Sequence, residues 1–287
     1  MSNSVSHGLY LQNGPGYLGD LATPEHVVEY AVAAEDAGWD GVFLADGLTP
    51  AFKTVDPWIT MASIATKTDT IRMGSWVSAV PRRPPWQLAQ DLATLDHLSD
   101  GRVIFGAGLG NKENYSTYGR EWNPSELADQ YDEALEIITG LWKGDSFSFD
   151  GEHFDVNEAE LHLPPVQQPR IPIWCGCWWP NKPPFRRGAR WDGIMPVAPS
   201  FYGKKGIQGE PITGTPVEEL NDFVAYYRDV ADQPGDILVQ IDHPEASEEF
   251  VDACRDVDVS WMLTGSLLDD AEHETNLQRI RQGPPTE

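Results

Sequence analysis

Residues 23 to 46 read TPEHVVEYAVAAEDAGWDGVFLAD, an amphipathic helix that leads into a short buried strand. Thr23 is a helix N-cap, Pro24 stands at the first helical position, and Gly38 is a stop signal. Val27, Tyr30, Ala31 and Ala34 fall on one helical face. Gly41-Val42-Phe43-Leu44-Ala45 is apolar at every position, the pattern of a strand covered on both sides, and it ends at Asp46. A capped helix, a glycine turn and such a strand make up one step of a parallel α/β fold.

The step repeats in both directions. Upstream, Gly8-Leu9-Tyr10-Leu11-Gln12 reads as strand one, followed by a Gly/Pro turn. Downstream, Asp56-Pro57 opens a helix with Trp58, Met61, Ala62 and Ala65 inward. Ile71 to Val77 is strand three, Pro85 to Leu98 a helix, Val103 to Ala107 strand four, and Leu127 to Trp142 the next helix. The cadence breaks between Lys143 and Arg170, where Phe147 to Phe154 reads as a hairpin turning at Asp150-Gly151. It resumes with Ile171 to Trp174, Gly193 to Val197, Ile237 to Ile241 and Val259 to Leu263 as strands five to eight. Helices follow each of these, the clearest starting at the capping box Thr215-Pro216-Val217-Glu218. Eight alternations predict an α/β fold: a single (β/α)8 TIM barrel over residues 1–287, with a hairpin insertion at 143–170 before strand five.

Composition narrows the function. The chain has 45 acidic against 20 basic residues, a net charge of −25, which argues against nucleic acid or an anionic membrane as partner. It holds 11 Trp, 9 Tyr and 10 Phe, far too many for a disordered acidic chain. No apolar run approaches the roughly 18 residues of a membrane span. Met1 to His7 has no secretory character, and three cysteines build no disulfide framework, so a cytoplasmic location is expected. Asp (25) exceeds Glu (20), and only 7 of the 20 cations are Lys, a surface suited to a halophilic host.

In a (β/α)8 barrel the reactive groups stand on the loops that follow the strands. Those loops carry Asp46, then Ser75, Trp76, Val77 and Ser78 with Arg82 and Arg83, then Gly108-Leu109-Gly110-Asn111-Lys112-Glu113. Next come Cys175-Gly176-Cys177-Trp178-Trp179 and the glycine-rich stretch from Pro199 to Gly214. Asp46 is either an acid/base or cofactor-bonding group, or a carboxylate that closes its loop. Glu113 is either a desolvated proton source or an exposed loop residue. The glycines around Gly108 let backbone N–H groups approach a ligand. Cys175 and Cys177 lack a second pair, so they read as small residues of a cofactor loop, with Gly176 allowing close contact. Trp178 and Trp179 either stack on the ligand or cover the mouth. Residues 181 to 205 carry a local charge of +5, whereas residues 215 to 287 carry −14. The cations of that stretch, Lys182 and Arg187 foremost, are expected to face the mouth and hold the phosphate of an anionic ligand. No Ser-His-Asp order, Schiff-base lysine or metal cluster suggests another chemistry.

Arg83-Pro84-Pro85, the run Leu95-Asp96-His97-Leu98-Ser99-Asp100-Gly101-Arg102-Val103 and Gly106-Ala107-Gly108 together resemble the luciferase-like flavin-dependent oxidoreductases. Glu35-Asp36-Ala37-Gly38-Trp39-Asp40-Gly41, the hairpin residues Gly151 to Phe154, Ile171 to Trp174 and Asp192-Gly193 are similar to that family as well, so the likeness covers roughly residues 8 to 197. The resemblance implies a barrel that binds F420, or alternatively FMN, at its C-terminal face for hydride transfer with a small-molecule substrate. It implies a non-prolyl cis peptide near Trp76-Val77, with Ser75, Trp76, Val77, Gly108, Gly176, Cys177 and Trp178 as cofactor contacts. Asp46 matches an aspartate of the F420-using branch, but Gly47 stands where many relatives carry a histidine. A homodimer is expected from the resemblance, and a separate flavin reductase if FMN is used. The other readings are a non-catalytic flavin-binding barrel and, last, a barrel enzyme of other chemistry such as a lyase.

Overall fold

The computed structural model of the chain describes residues 5–11, 13, 23–49, 53–202, 214–242, 247–265 and 272–285. In order, β1 is Ser6–Leu11, α1 Pro24–Asp36, β2 Gly41–Leu44, α2 Pro57–Ala65, β3 Arg72–Ser75 and β4 Ser78–Ala79. Then come α3 Pro85–Leu98, β5 Val103–Gly108, the short α4 Glu113–Ser116, α5 Pro124–Leu141, and the hairpin β6 Phe147–Asp150 with β7 Asp155–Ala159. The last third holds β8 Ile173–Trp178, α6 Lys182–Gly188, β9 Gly193–Val197, α7 Pro216–Val230, β10 Asp236–Gln240, α8 Glu248–Asp256, β11 Trp261–Thr264 and α9 His273–Ile280.

Eight parallel strands close on themselves: β1, β2, β3, β5, β8, β9, β10 and β11 pair in turn, and β11 returns to β1. This is the expected barrel. Strand three stops earlier than the apolar run suggests, at Ser75. The Trp76–Val77 peptide is cis, where the resemblance put it, and the chain rejoins the sheet as β4 against Ala107 and Gly108. The interior is filled by alternate residues, Phe43, Ile104, Trp174, Met195, Leu238 and Trp261 among them. Phe43, Trp174 and Trp261 pack ring on ring, with centroids 5.6–6.2 Å apart. The intervening residues, such as Val42 and Val239, face the helices.

Caps match the sequence at several helix starts. Thr23 and Asp56 accept from the third backbone N–H of their helices, and Thr215 with Glu218 forms the reciprocal box. The hairpin turn is wider than the two-residue Asp150-Gly151 turn expected. Asp150 pairs with Asp155, and the Glu133 carboxylate on α5 accepts the N–H groups of Glu152, His153 and Phe154. A helix side chain thus closes the turn.

The N-terminal end of the barrel is sealed by polar side chains. The Arg102 guanidinium donates to the carbonyls of Ala65, Thr68, Ile71 and Ser99 and to the Thr68 hydroxyl, at 2.6–3.0 Å. Glu35 accepts from the N–H groups of Asp69, Thr70 and Ile71. Asp96 is fully buried and accepts from the backbone and side-chain amides of Gln167. Among the described residues no helix is long and apolar enough to cross a membrane.

Candidate functional site

At the C-terminal end, two cavities flank the break in strand three. The larger, about 580 Å³, is walled by Trp76, Val77, Leu109, Trp122, Trp178 and Met195, with Asn111, Lys112 and Asn181 as its polar members. That volume suits a small organic ligand or a cofactor ring. The smaller, about 180 Å³, lies between Ala45, Asp46 and Gly47 on one side and Gly110, Asn111 and Asn114 on the other. Trp76 and Val77 line both.

Val77 explains two of the glycines. A Cβ on Gly108 would lie 2.5 Å from Val77 Cγ2, and one on Gly176 would lie 3.0 Å from it. The isopropyl group therefore occupies the room that β5 and β8 leave by carrying no side chain there. Both glycines line the larger cavity as the sequence suggested, but what comes close to them is Val77. The Trp178 indole N–H, buried in the same wall, has no partner among the described residues. An apolar wall whose floor is Val77 seated between two glycines, with one unused donor beside it, fits a flat, polar-edged ring such as a flavin or deazaflavin.

Asp46 closes the smaller cavity. Its carboxylate accepts from Ser78 Oγ and Arg83 on one oxygen and from Arg82 at 3.1 Å on the other. A carboxylate offers about four acceptor sites, so one remains for a ligand. Among the described residues it is the one carboxylate that lines either cavity. Arg82 and Arg83 are both held by this acid. Asn111 shapes the neighbouring loop: its side-chain oxygen accepts from the N–H groups of Glu113 and Asn114.

Several expected site residues stand elsewhere. Ser75 is fully buried beneath the break and donates to the Gly106 carbonyl, so it reaches no ligand. Glu113 begins α4 as an exposed residue and lines neither cavity. Lys182 folds back over the rings of Trp179 and Tyr226, 3.4 and 4.1 Å from their centroids. Arg187 forms a two-pronged pair with Asp132 on α5, at 2.8 and 2.9 Å, and Arg190 joins Asp132 and Glu136. Arg187 and Arg190 are thus paired with acids of α5, while Lys182 lies against the rings of Trp179 and Tyr226 and Arg186 donates to the Tyr226 hydroxyl. Lys204 and Lys205 lie outside the described residues.

Cys177 lines the larger cavity, and Cys175 faces Tyr131 behind the strand. Both are free, and burial pushes the Cys175 thiol up to about 12 and raises that of Cys177 well above its ordinary value, so neither is a reactive thiolate at neutral pH. Trp178 faces the cavity, whereas Trp179 packs on Phe185 and Phe223 in the outer core. Asn111, Asn114, Trp122 and Asn181 were not singled out from the sequence. Asn111 was within a named loop, but nothing in its spacing distinguished it.

Residues 5–198 match the luciferase-like monooxygenase family. An F420-dependent glucose-6-phosphate dehydrogenase of Microbacterium testaceum is 32% identical over 165 residues, which are 55% of this chain and 48% of the relative. The chain spans about half the length of the curated relatives it matches. A monooxygenase of Streptomyces bottropensis superposes with a TM-score of 0.76 at 16% identity over 97% of both chains. An F420-dependent secondary alcohol dehydrogenase, solved with an F420-acetone adduct, superposes with a TM-score of 0.75 at 16% identity over 98% of both. These two likenesses establish the barrel. The match over residues 5–198 establishes more: the chain belongs to the luciferase-like monooxygenase family.

Proposed function

We propose that the chain is an oxidoreductase that binds F420 at the C-terminal end of the barrel and acts on a small organic substrate. The observation that carries this reading is the cavity built around Val77, with Gly108 and Gly176 beside it and the unpartnered Trp178 N–H in its wall. Val77, Gly108, Gly176 and Trp178 would hold the ring system. F420, when bound, supplies a hydride acceptor or donor. Leu109, Trp122 and Trp178 would limit water around a ring bound in the larger cavity. Asp46, with its one remaining acceptor site, takes the hydrogen bond of a substrate hydroxyl that reaches the smaller cavity. Ser78, Arg82 and Arg83 hold that carboxylate in place. The likeness to relatives named as F420-dependent dehydrogenases supports the choice of cofactor.

The test is a titration in high KCl with F420 and, separately, FMN, followed by cofactor absorbance and tryptophan fluorescence. Saturable quenching by F420 with no response to FMN is expected. Binding of FMN alone would move the reading to a two-component monooxygenase served by a separate reductase. Binding of neither would overturn it.

A further inference from the structure

The smaller cavity has a donor wall opposite Asp46 that the functional reading leaves unused. It is built by the loop after β5. Asn111 Oδ1 accepts from the Glu113 and Asn114 N–H groups at 3.0 and 3.2 Å, and Asn114 Oδ1 accepts from the Asn111 N–H at 2.8 Å. The two side chains thus cap each other's backbone, as in a reciprocal helix-start box. Gly110 makes the close turn possible: its φ is +78°, and a Cβ on it would lie 2.8 Å from Asn114 Oδ1. A backbone N–H can bond only to the oxygen of an amide, so these contacts fix which end of each side chain is NH2. Among the described residues neither NH2 group has an acceptor. Asn114 is 9% exposed and lines the smaller cavity with Asn111. Its NH2 group is not sealed off as the Trp178 N–H is, so the cavity is the space it opens on.

We propose that Asn114, supported by Asn111, is a substrate-binding residue of this cavity, and that it selects substrates with an uncharged acceptor oxygen next to the hydroxyl-bearing carbon, as in a 2-hydroxy amide. The proposal rests on the oxidoreductase reading and adds a requirement on the substrate. Asp46 keeps one acceptor site for the hydroxyl hydrogen, and the amide N–H groups across the cavity need an oxygen to receive them. A substrate that carries the hydroxyl alone leaves this donor wall without a partner, which costs affinity. The volume of about 180 Å³ is many times the roughly 10–15 Å³ that one water needs, so a second polar group fits beside the hydroxyl. The make-up of the walls requires that group to be uncharged. Asp46 is the one charged residue among those that line the cavity, and Arg82 and Arg83 are both committed to it. An anion would meet amide N–H groups with no free cation behind them.

Lactamide, 2-butanol and lactate are close in size and serve as probes, read by saturation-transfer NMR with and without F420. Wild type is expected to bind lactamide about tenfold more tightly than either of the others. Asn114→Asp keeps the oxygen that caps the Asn111 N–H and removes the donors. It should lose the preference for lactamide over 2-butanol, while 2-butanol affinity, F420 affinity and thermal midpoint stay at the wild-type values. Asn114→Leu, a neutral change that also removes the cap, should lose the preference as well and lower the midpoint. Equal binding of lactamide and 2-butanol by wild type overturns the proposal, and so does lactate binding as tight as that of lactamide. An equal loss of lactamide and 2-butanol in Asn114→Asp would make the residue a support of the loop alone. A fall in F420 affinity with unchanged probe selectivity would assign the NH2 group to the cofactor. Either result overturns the proposal. Failure of wild type to bind F420 breaks the functional reading instead, and the selectivity measured without cofactor still decides this one.

Discussion

The two ends of the barrel are made by the same eight strands and treat their polar groups in opposite ways. At the N-terminal end, Arg102 has five hydrogen bonds, and Glu35 and Asp96 are capped by backbone and amide N–H groups. At the C-terminal end, among the described residues, the Trp178 N–H has no partner and Asp46 keeps one acceptor site unfilled. The runs that resemble the family fall at both ends: Glu35 and Arg102 belong to the sealed one, whereas Arg83 and Gly108 stand beside the cavities, so what separates the two ends is how completely their polar groups are paired. If so, substitutions at the two ends should separate stability from ligand binding.

The largest effect is expected from Arg102→Met, which strips partners from four buried carbonyls and a hydroxyl. It should cost about 3–5 kcal/mol in urea unfolding, with F420 affinity of the folded fraction unchanged. A loss under about 1 kcal/mol would mean that the sealed end tolerates unpaired groups and that the contrast is false. Gly108→Val should do the reverse. The new side chain meets Val77, so F420 affinity should fall about 100-fold, or about 2.7 kcal/mol, with a smaller loss of stability. An unfolding midpoint that drops as far as in Arg102→Met would erase the distinction. The smallest effect concerns pH. Burial raises the Glu35 carboxyl, but the N–H bonds from Ile71, Asp69 and Thr70 outweigh it, and the net shift is downward from 4.5. A carboxyl depressed in the folded state contributes stability above its unfolded pKa and loses it as pH falls through the folded one. Glu35→Gln should therefore lower stability by about 1 kcal/mol at pH 7, given its partial exposure. The difference from wild type should vanish in unfolding curves taken well below pH 4.5.

The alternation that defines the barrel was legible because capped helices and doubly covered strands are local patterns. The α3 boundaries, Pro85 and Leu98, agree with the sequence because a proline and a leucine stripe delimit them. The break after Ser75 was not a pattern of hydrophobicity at all, since the apolar run continues through Val77; only the resemblance pointed to it. The hairpin turn escaped because Glu133, remote in sequence, takes its N–H groups. The same blindness misplaced Arg187: a local charge count cannot see Asp132, 55 residues earlier. Glu113 stands outside both cavities for a different reason, since a strand end predicts a loop but not the direction of each side chain on it.

The seating of Val77 bears on how the chain can change over evolution. Positions 77, 108 and 176 share one volume, two by omission and one by filling it. They behave as a single composite residue contributed by β5, β8 and the break after β3. A larger side chain at 108 or 176 is admissible only after the one at 77 has shrunk, so the order in which such changes arise is constrained. Each of the three substitutions taken alone would look forbidden or costly, and the permitted path runs through Val77 first.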